Sequence, residues 1–206
     1  MKVVLINGSP RKNGCTFTAL SEVAKQLEKQ GIETEIFQIG VKPIAGCLGC
    51  RQCPKLGKCI QDDIVNQFVE KYASADGFVF GSPVYYAAIS GQLKCFMDRL
   101  FFSAGSKLAY KPAAAVVSCR RGGASCAFDD INKYFGINCM PIVSSQYWNQ
   151  VHGNAPEEVV QDLEGMQTMR TLADNMAWLL KCIENGKKAG INKPTREPAV
   201  KTNYIR

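Results

Sequence analysis

The sequence predicts one α/β domain built on a doubly wound, mostly parallel sheet with helices on both faces. Short apolar runs alternate with longer segments of helical periodicity, and polar, glycine-rich loops follow the apolar runs. Strands joined by helices form right-handed crossovers, which stack the helices on the faces of a parallel sheet. The predicted strands are Lys2–Asn7, Ile32–Ile39, Gly77–Gly81, Ala113–Cys119 and a fifth near Cys139–Gln146.

Local signals predict the helices between these strands. Leu20, Val23 and Leu27 recur at helical spacing, and Gly31 then supplies the left-handed residue that commonly ends a helix. Ser90 is of the type that caps a helix N-terminus. The predicted helices are Thr16–Gln30, Asp62–Tyr72, one starting at Ser90, Ala127–Phe135 and a long final helix from Pro156 to Glu184.

Positive charge is concentrated at the end of the chain. The net charge is +7, and residues 181–206 carry seven Lys or Arg against two Glu. Interleaved aromatic residues and a recognition motif, which a nucleic-acid site would need, are not found in the sequence. We therefore expect residues 1–186 to form the domain and residues 187–206 to be an extended basic tail on a surface or against another subunit.

Composition also limits the function classes. No apolar run approaches the roughly 20 residues needed to cross a bilayer, and the first apolar stretch is too short for an export signal. We therefore expect a cytoplasmic protein with no membrane partner, whose ten cysteines are not paired in disulfides. With His152 as its single histidine, the chain is a poor candidate for histidine-rich zinc sites or Ser-His-Asp catalysis.

The loop after the first strand reads GSPRKNGCT over residues 8–16. A phosphate at a helix N-terminus gains from free backbone N–H groups, and Ser9, Arg11 and Thr16 can add hydroxyl donors and charge. The pattern is not a P-loop, because Cys15 stands where the lysine belongs, and it is not the G-x-G-x-x-G fingerprint. By itself it is equally consistent with a polar turn that binds nothing.

The loop after the third strand reads GSPVYYAAISGQLK over residues 81–94. Tyr85 and Tyr86 follow a buried strand, and exposing two aromatic rings there favours a planar ligand on which they can stack. An isoalloxazine ring would meet that need, with nearby backbone N–H groups bonding its polar edge. Taken alone, the loop is better explained by a surface tyrosine pair.

The segments GSPRKNGCT and GSPVYYAAISGQLKCFMDR together closely resemble the flavodoxin-like NAD(P)H-dependent FMN reductases. The resemblance runs along the whole chain, and the ending TNYIR at 202–206 is also similar. It implies a flavodoxin-like five-stranded parallel sheet in the order 2-1-3-4-5, with FMN as cofactor and NAD(P)H as co-substrate. The residues implied at the FMN phosphate are Ser9, Arg11, Asn13 and Thr16, with Cys15 in the same loop replacing the usual Asn or Ser, and those at the ring are Pro83, Val84, Tyr85 and Tyr86.

The loop after the fourth strand matches the position that meets the pyrimidine side of the flavin in this family. Its glycines allow close backbone approach, and Arg120 or Arg121 near flavin N1 would stabilise an anionic reduced flavin. A solvated basic turn is the alternative for each arginine. The residues implied here are Ser118, Cys119, Arg120, Arg121, Gly122 and Gly123.

Four cysteines follow the second strand, at Cys47, Cys50, Cys53 and Cys59. This spacing resembles ferredoxin-type ligation and the compact motif of the iron–sulfur flavoproteins, so we predict a [4Fe–4S] cluster. A metal-free thiol loop and a structural zinc site are the alternatives. Five further cysteines are expected to be buried small hydrophobes: Cys95, Cys119, Cys126, Cys139 and Cys182. Of these, Cys119 and Cys126 flank the presumed ring loop and are also candidates for redox activity.

These observations lead to an FMN-dependent oxidoreductase that passes electrons from NAD(P)H to a quinone, a flavin or another small-molecule or protein acceptor. A non-enzymatic electron carrier and a redox- or metal-sensing flavoprotein are the alternatives. No acid or base residue is assigned to the reaction, because the cofactor carries the chemistry. The apolar residues Tyr85, Tyr86, Phe101 and Phe102 further predict a homodimer or homotetramer that completes the flavin pocket.

Overall fold

A computed structural model describes residues 1–203, and the predicted family-like ending extends beyond them at 204–206. Five parallel strands form one sheet in the order β2-β1-β3-β4-β5, which confirms the predicted topology. The strands are β1 Lys2–Asn7, β2 Glu33–Gln38, β3 Gly77–Pro83, β4 Ala113–Cys119 and β5 Gln150–His152. The helices are α1 Cys15–Lys29, α2 Cys53–Leu56, α3 Ile64–Tyr72, α4 Gly91–Leu108, α5 Ala124–Ile137, α6 Pro156–Val159 and α7 Leu163–Lys188.

Side chains alternate across the sheet and build two apolar layers. Val4 and Ile6 of β1 face α3, α4 and α5, where Phe68 and Phe96 are buried, whereas Leu5 faces α1 and α7. Burying each such side chain stabilises the fold by about 1.5–3 kcal/mol. The two layers hold the carboxyl ends of all five strands at one edge. Loops that follow successive strands therefore lie side by side.

Two predicted elements differ in the structure. The fifth strand is the three-residue β5 rather than Cys139–Gln146, because the β4 backbone pairs with Gln150 through His152. The earlier segment contributes only an isolated bridge, from Ala113 to Ile142. The predicted final helix is divided into α6 and α7, since the Asp162 side chain accepts the Gly165 N–H at 2.9 Å and starts a new helix there.

Other local predictions are confirmed. Ser90 caps α4, accepting the Leu93 N–H at 3.3 Å, and Gly31 follows α1 with a φ of +77°.

The burial of the remaining cysteines was predicted only in part. Cys119 is buried as expected, but Cys95 is half-buried and three further cysteines are exposed. The exposed cysteines that were expected to be buried are Cys126, Cys139 and Cys182. Within residues 1–203, no helix is both long and apolar enough to cross a membrane.

Candidate functional site

The first loop is pinned tightly against the third strand. The Gly8 N–H donates to the Gly81 carbonyl at 2.8 Å, and the Ser90 hydroxyl donates to the Gly8 carbonyl at 2.7 Å. A Cβ at Gly8 would lie 2.7 Å from the Gly81 oxygen and 2.7 Å from Leu93 Cδ2. Glycine is required here because any side chain would push the loop away from β3.

The first turn of α1 presents free backbone N–H groups. Gly14 stands at the N-cap, and no side chain of residues 1–203 caps this helix. The first amides of a helix have no acceptor within it, so the N–H groups of Cys15, Thr16 and Phe17 are available to a ligand. They also carry the positive end of the helix dipole, equivalent to about half a unit charge.

Asn7 and Gln38 shape residues 8–16, named the phosphate loop after the predicted ligand, and sequence reasoning missed both. Asn7 accepts the Ser9 N–H at 3.1 Å and donates to the Gln38 side chain at 2.6 Å. Gln38 in turn donates to the Ser9 carbonyl at 2.7 Å. A polar residue ending each of two adjacent parallel strands is the signal that could have revealed them. Their bonds hold the loop open toward the sheet edge.

The predicted phosphate-site residues divide into two groups. Ser9 is buried, and its hydroxyl accepts the Arg11 N–H at 3.1 Å while its own proton remains available. The side chains of Arg11 and Asn13 are exposed beside the α1 N-terminus. Thr16 is turned inward instead, with its hydroxyl 2.8 Å from that of Ser118. Thr16 can therefore offer its backbone N–H to a ligand, while its side chain joins α1 to β4.

Cys15 stands at the start of α1, next to the β5–α6 connection. Its Sγ is 3.7 Å from the Gly153 carbonyl oxygen. Burial raises the pKa of this thiol; Glu158 and Glu157 add to the rise, and Arg11 opposes it. The Cys15 backbone N–H is one of the free amides in the first turn of α1.

The third loop is a tight two-residue hairpin. Tyr85 and Ala88 exchange both backbone hydrogen bonds at 2.9 Å, and the two residues between them have positive φ angles, 49° for Tyr86 and 58° for Ala87. A left-handed conformation costs a non-glycine residue about 1–2 kcal/mol. This strained turn leaves the Tyr86 ring fully exposed and the Tyr85 ring about half exposed. The aromatic faces predicted to stack on a ligand are thus presented at the sheet edge.

The fourth loop packs directly on this hairpin. The Val84 N–H donates to the Ser118 carbonyl at 3.0 Å. Gly123 has a φ of +85°, and a Cβ there would lie only 2.8 Å from Ala87 Cα. Cys119 is buried and burial raises its pKa, whereas Arg120, Arg121 and Gly122 are exposed. The phosphate loop, the hairpin and the fourth loop therefore form one continuous surface, with Pro83 half-buried at its centre.

The cysteine loop follows β2 and packs against α3 and α4, where Cys59 contacts Asn66 and Arg99. Cys47 and Cys50 are exposed, while Cys53 and Cys59 are buried. Gly57, with a φ of +69°, reverses the chain between the last two cysteines. Burial raises the pKa of Cys53, and the neighbouring thiols of Cys59, Cys50 and Cys47 add to that rise.

This donor set fits a metal centre in its chemistry, because four soft sulfur ligands are collected in one short loop. Within the part of the chain that the structure describes, no three potential ligands already stand at ligating distance. For all four thiols to bind one metal centre, the exposed segment with Cys47 and Cys50 would have to move toward Cys53 and Cys59.

Arg99 is the largest fully buried side chain and was not singled out by sequence reasoning. It forms an ion pair with Asp63 at 2.6 Å and donates to the Cys59 sulfur at 3.3 Å. An arginine at a helical position otherwise expected to face solvent gives no local signal of this role. The cysteine loop is thus attached to α4 through a buried charge.

Residues 1–154 match the NADPH-dependent FMN reductase family. An iron–sulfur flavoprotein of Methanocaldococcus jannaschii is 34% identical over 194 residues, covering 89% of this chain and 100% of that protein. An FMN reductase (NADPH) of Pseudomonas putida is 32% identical over 100 residues, covering 48% of this chain and 47% of that protein. A flavodoxin from the domain Archaea shares the fold, with a TM-score of 0.58 at 16% identity over 88% of this chain and 99% of that one.

Proposed function

This chain belongs to the NADPH-dependent FMN reductase family and is an oxidoreductase, and we propose that it passes electrons from NAD(P)H through FMN to a quinone, a flavin or another acceptor. The observation that carries the proposal is the uncapped N-terminus of α1, which opens beside the exposed tyrosine hairpin. A phosphate site and an aromatic platform at one sheet edge suit a ligand that is anionic at one end and planar at the other.

At the phosphate end, Ser9, Arg11 and Asn13 would supply side-chain donors. The amides of Cys15 and Thr16 would complete the site, adding the field of the helix dipole. The Thr16 hydroxyl, which is bonded to Ser118, fixes the direction of these amides instead of contacting the phosphate. Arg11 is exposed, so it would bring positive charge to the phosphate without the cost of being buried unpaired.

At the ring end, the hairpin and the fourth loop would hold the isoalloxazine. Tyr85 and Tyr86 would offer aromatic faces, and Pro83 and Val84 a half-buried apolar floor. Backbone N–H groups of the fourth loop would bond the polar pyrimidine edge, with Ser118 and Cys119 beneath them and the glycines Gly122 and Gly123 allowing close approach. Arg120 and Arg121 would place positive charge there.

Bound FMN would accept a hydride from NAD(P)H and release electrons to an acceptor, which needs no acid or base from the protein. The chain would contribute orientation and electrostatics. The arginines of the fourth loop would stabilise negative charge on the reduced ring. A reaction that needs no acid or base residue suits a chain with one histidine.

We also propose that Cys47, Cys50, Cys53 and Cys59 hold a [4Fe–4S] cluster beside the flavin. Four closely spaced thiols in one short loop support it, as does the similarity to a protein named as an iron–sulfur flavoprotein. A cluster there would store single electrons within reach of the flavin loops. Zinc remains the competing metal for the same thiols.

We further propose that the protein works in the cytoplasm as a homodimer or homotetramer. Ten unpaired cysteines suit a reducing compartment. Tyr86, Phe102 and Trp178 are exposed and suit a subunit contact, although Phe101, also expected at the surface, is buried in the core. The basic residues 187–206, which we propose as a tail outside the 1–186 domain, could reach across such a contact. A monomeric mass by light scattering would contradict this assembly.

Steady-state oxidation of NADH and NADPH tests the proposed function. FMN-loaded protein should consume at least one of them when a quinone or free flavin is added, and protein stripped of flavin should not. If FMN-loaded protein exchanged electrons with one-electron partners but consumed neither nucleotide, it would be a carrier and not a reductase.

A further inference from the structure

The Arg99 side chain is completely buried, and each of its N–H groups has an acceptor. Burying a guanidinium is costly unless its donors are satisfied, so this arrangement must organise whatever surrounds it. Its bonds reach Cys59 Sγ from Nε at 3.3 Å, the Ala45 carbonyl and Asp63 Oδ2 from Nη1 at 3.3 and 2.6 Å, and the Gln61 carbonyl and Asp63 Oδ1 from Nη2 at 2.7 and 2.8 Å.

These acceptors stand at both ends of the cysteine loop. Ala45 lies just before its first cysteine, and Gln61 lies just after the last. Gln61 also donates to the Gly46 carbonyl at 3.0 Å, which closes the base of the loop. Asp63 fixes the arrangement to a helix, because it caps α3 by accepting the Val65 N–H at 3.0 Å.

Cys59 is held at three points. Its N–H donates to Asn66 Oδ1 at 3.1 Å, and its carbonyl accepts from Asn66 Nδ2 at 2.9 Å. The third contact is the Arg99 N–H on its sulfur. Asn66 is itself buried in α3. In contrast, Cys47 and Cys50 are exposed, so Cys59 is held more firmly than these two members of the set.

We propose that Arg99 is a positioning residue for the cluster. It holds Cys59 in place as a ligand, and its N–H···S bond raises the reduction potential of the cluster. This inference rests on the proposed [4Fe–4S] cluster. Hydrogen bonds to ligand sulfurs stabilise the reduced, more negative state of a cluster. Asp63 offsets the net charge of Arg99, so the directed N–H group is the effective feature.

The experiment compares the wild type with Arg99→Lys and Arg99→Gln after anaerobic reconstitution with iron and sulfide. Lysine keeps the positive charge but lacks the planar guanidinium, so it cannot donate to Cys59 and to both oxygens of Asp63 at once. The control is Arg170→Gln, which removes an ion pair to Glu22 at 2.6 Å on the opposite helix layer. Circular dichroism establishes that each variant is folded. Should Arg99→Gln fail to fold, Arg99→Lys and Asp63→Asn carry the comparison.

Redox titration should give both Arg99 variants a lower cluster potential than the wild type, with the FMN potential unchanged. The Arg170→Gln protein should match the wild type. In metal-free protein, hydrogen exchange at the Cys59 amide should be at least tenfold faster in Arg99→Lys, because its bond to Asn66 is no longer supported.

The outcomes separate the two proposals. If the wild type takes up no iron, the cluster itself is wrong, and the role of Arg99 as its positioning residue is wrong with it. If the wild type takes up iron and the Arg99 variants keep both the wild-type potential and the slow exchange at Cys59, only the role of Arg99 is overturned.

Discussion

The hydroxyls of Thr16 and Ser118 lie 2.8 Å apart and join the first turn of α1 to the end of β4. Both residues are buried, so neither hydroxyl can exchange its partner for bulk water. The bond passes beside Gly81, where a Cβ would lie 2.9 Å from Thr16 Cγ2. It therefore ties the phosphate loop to the fourth loop across the middle of the site.

A double-mutant cycle should detect this tie as a coupling. Thr16→Val and Ser118→Ala should each lower the free energy of unfolding by about 1–3 kcal/mol, because each leaves a buried partner unpaired. The double variant should lose less than the sum, with a coupling of about 1 kcal/mol. Urea unfolding measures all four proteins. Strictly additive losses would show that the two hydroxyls do not interact.

The phosphate assignment predicts that Arg11→Ala weakens FMN more than riboflavin, which lacks the phosphate. A hydrogen bond to a charged group contributes about 1.5–3 kcal/mol, so FMN should bind at least tenfold more weakly. Fluorescence titration of the stripped protein measures both ligands. Lys12→Ala is the matched control, since it removes a neighbouring exposed charge. Equal losses for FMN and riboflavin would remove Arg11 from the phosphate site.

Acid stability should depend on Glu35, in the amino-terminal half of β2. Hydrogen bonds from Lys71 and then Tyr72 lower the pKa of this carboxyl from 4.5 to about 2, opposed in part by burial and assisted by Lys2. Its pKa is lower in the folded protein than in the unfolded chain. Its contribution to stability is therefore present above pH 4.5 and is lost as the pH falls toward 2.

Glu35→Gln should therefore lower the free energy of unfolding at pH 7 and lower it much less at pH 2.5. Urea unfolding at the two pH values measures the difference. Glu33→Gln is the control, because Glu33 pairs with Lys2 at 3.0 Å but its side chain is 68% exposed. A Glu35→Gln penalty of equal size at both pH values would contradict the assigned pKa.

Replacing Cys50 with Ser should remove iron but leave FMN bound, since the thiol loop and the flavin loops are separate segments. Iron analysis of anaerobic protein should give about four atoms per chain for the wild type and much less for Cys50→Ser. Cys95→Ser, on the half-buried face of α4, should keep its iron. Iron-free wild type with four titratable thiols in the loop would leave a plain FMN reductase, and stoichiometric zinc would make the loop structural.

Local chemistry was enough to predict most of the framework. Apolar periodicity identified β1 through β4. The Ser90 hydroxyl and the backbone freedom of Gly31 placed helix ends, because caps and strands are decided by residues close in sequence. The same local signals located the loops after β1, β3 and β4, which meet at the sheet edge, and the cysteine loop after β2. The flavin-site residues assigned from the family resemblance remain a prediction, as do the four cysteine ligands.

Tertiary structure decided what depends on distant partners. Three residues are too few to carry a strand pattern, so β5 is specified by its pairing with β4 and not by its own composition. The burial of Arg99 depends on Asp63, 36 residues earlier, and the inward turn of Thr16 depends on Ser118, 102 residues later. A sequence read locally cannot reveal such pairs, because the hydrogen bonds that satisfy these buried polar groups form only when the sheet brings the segments together.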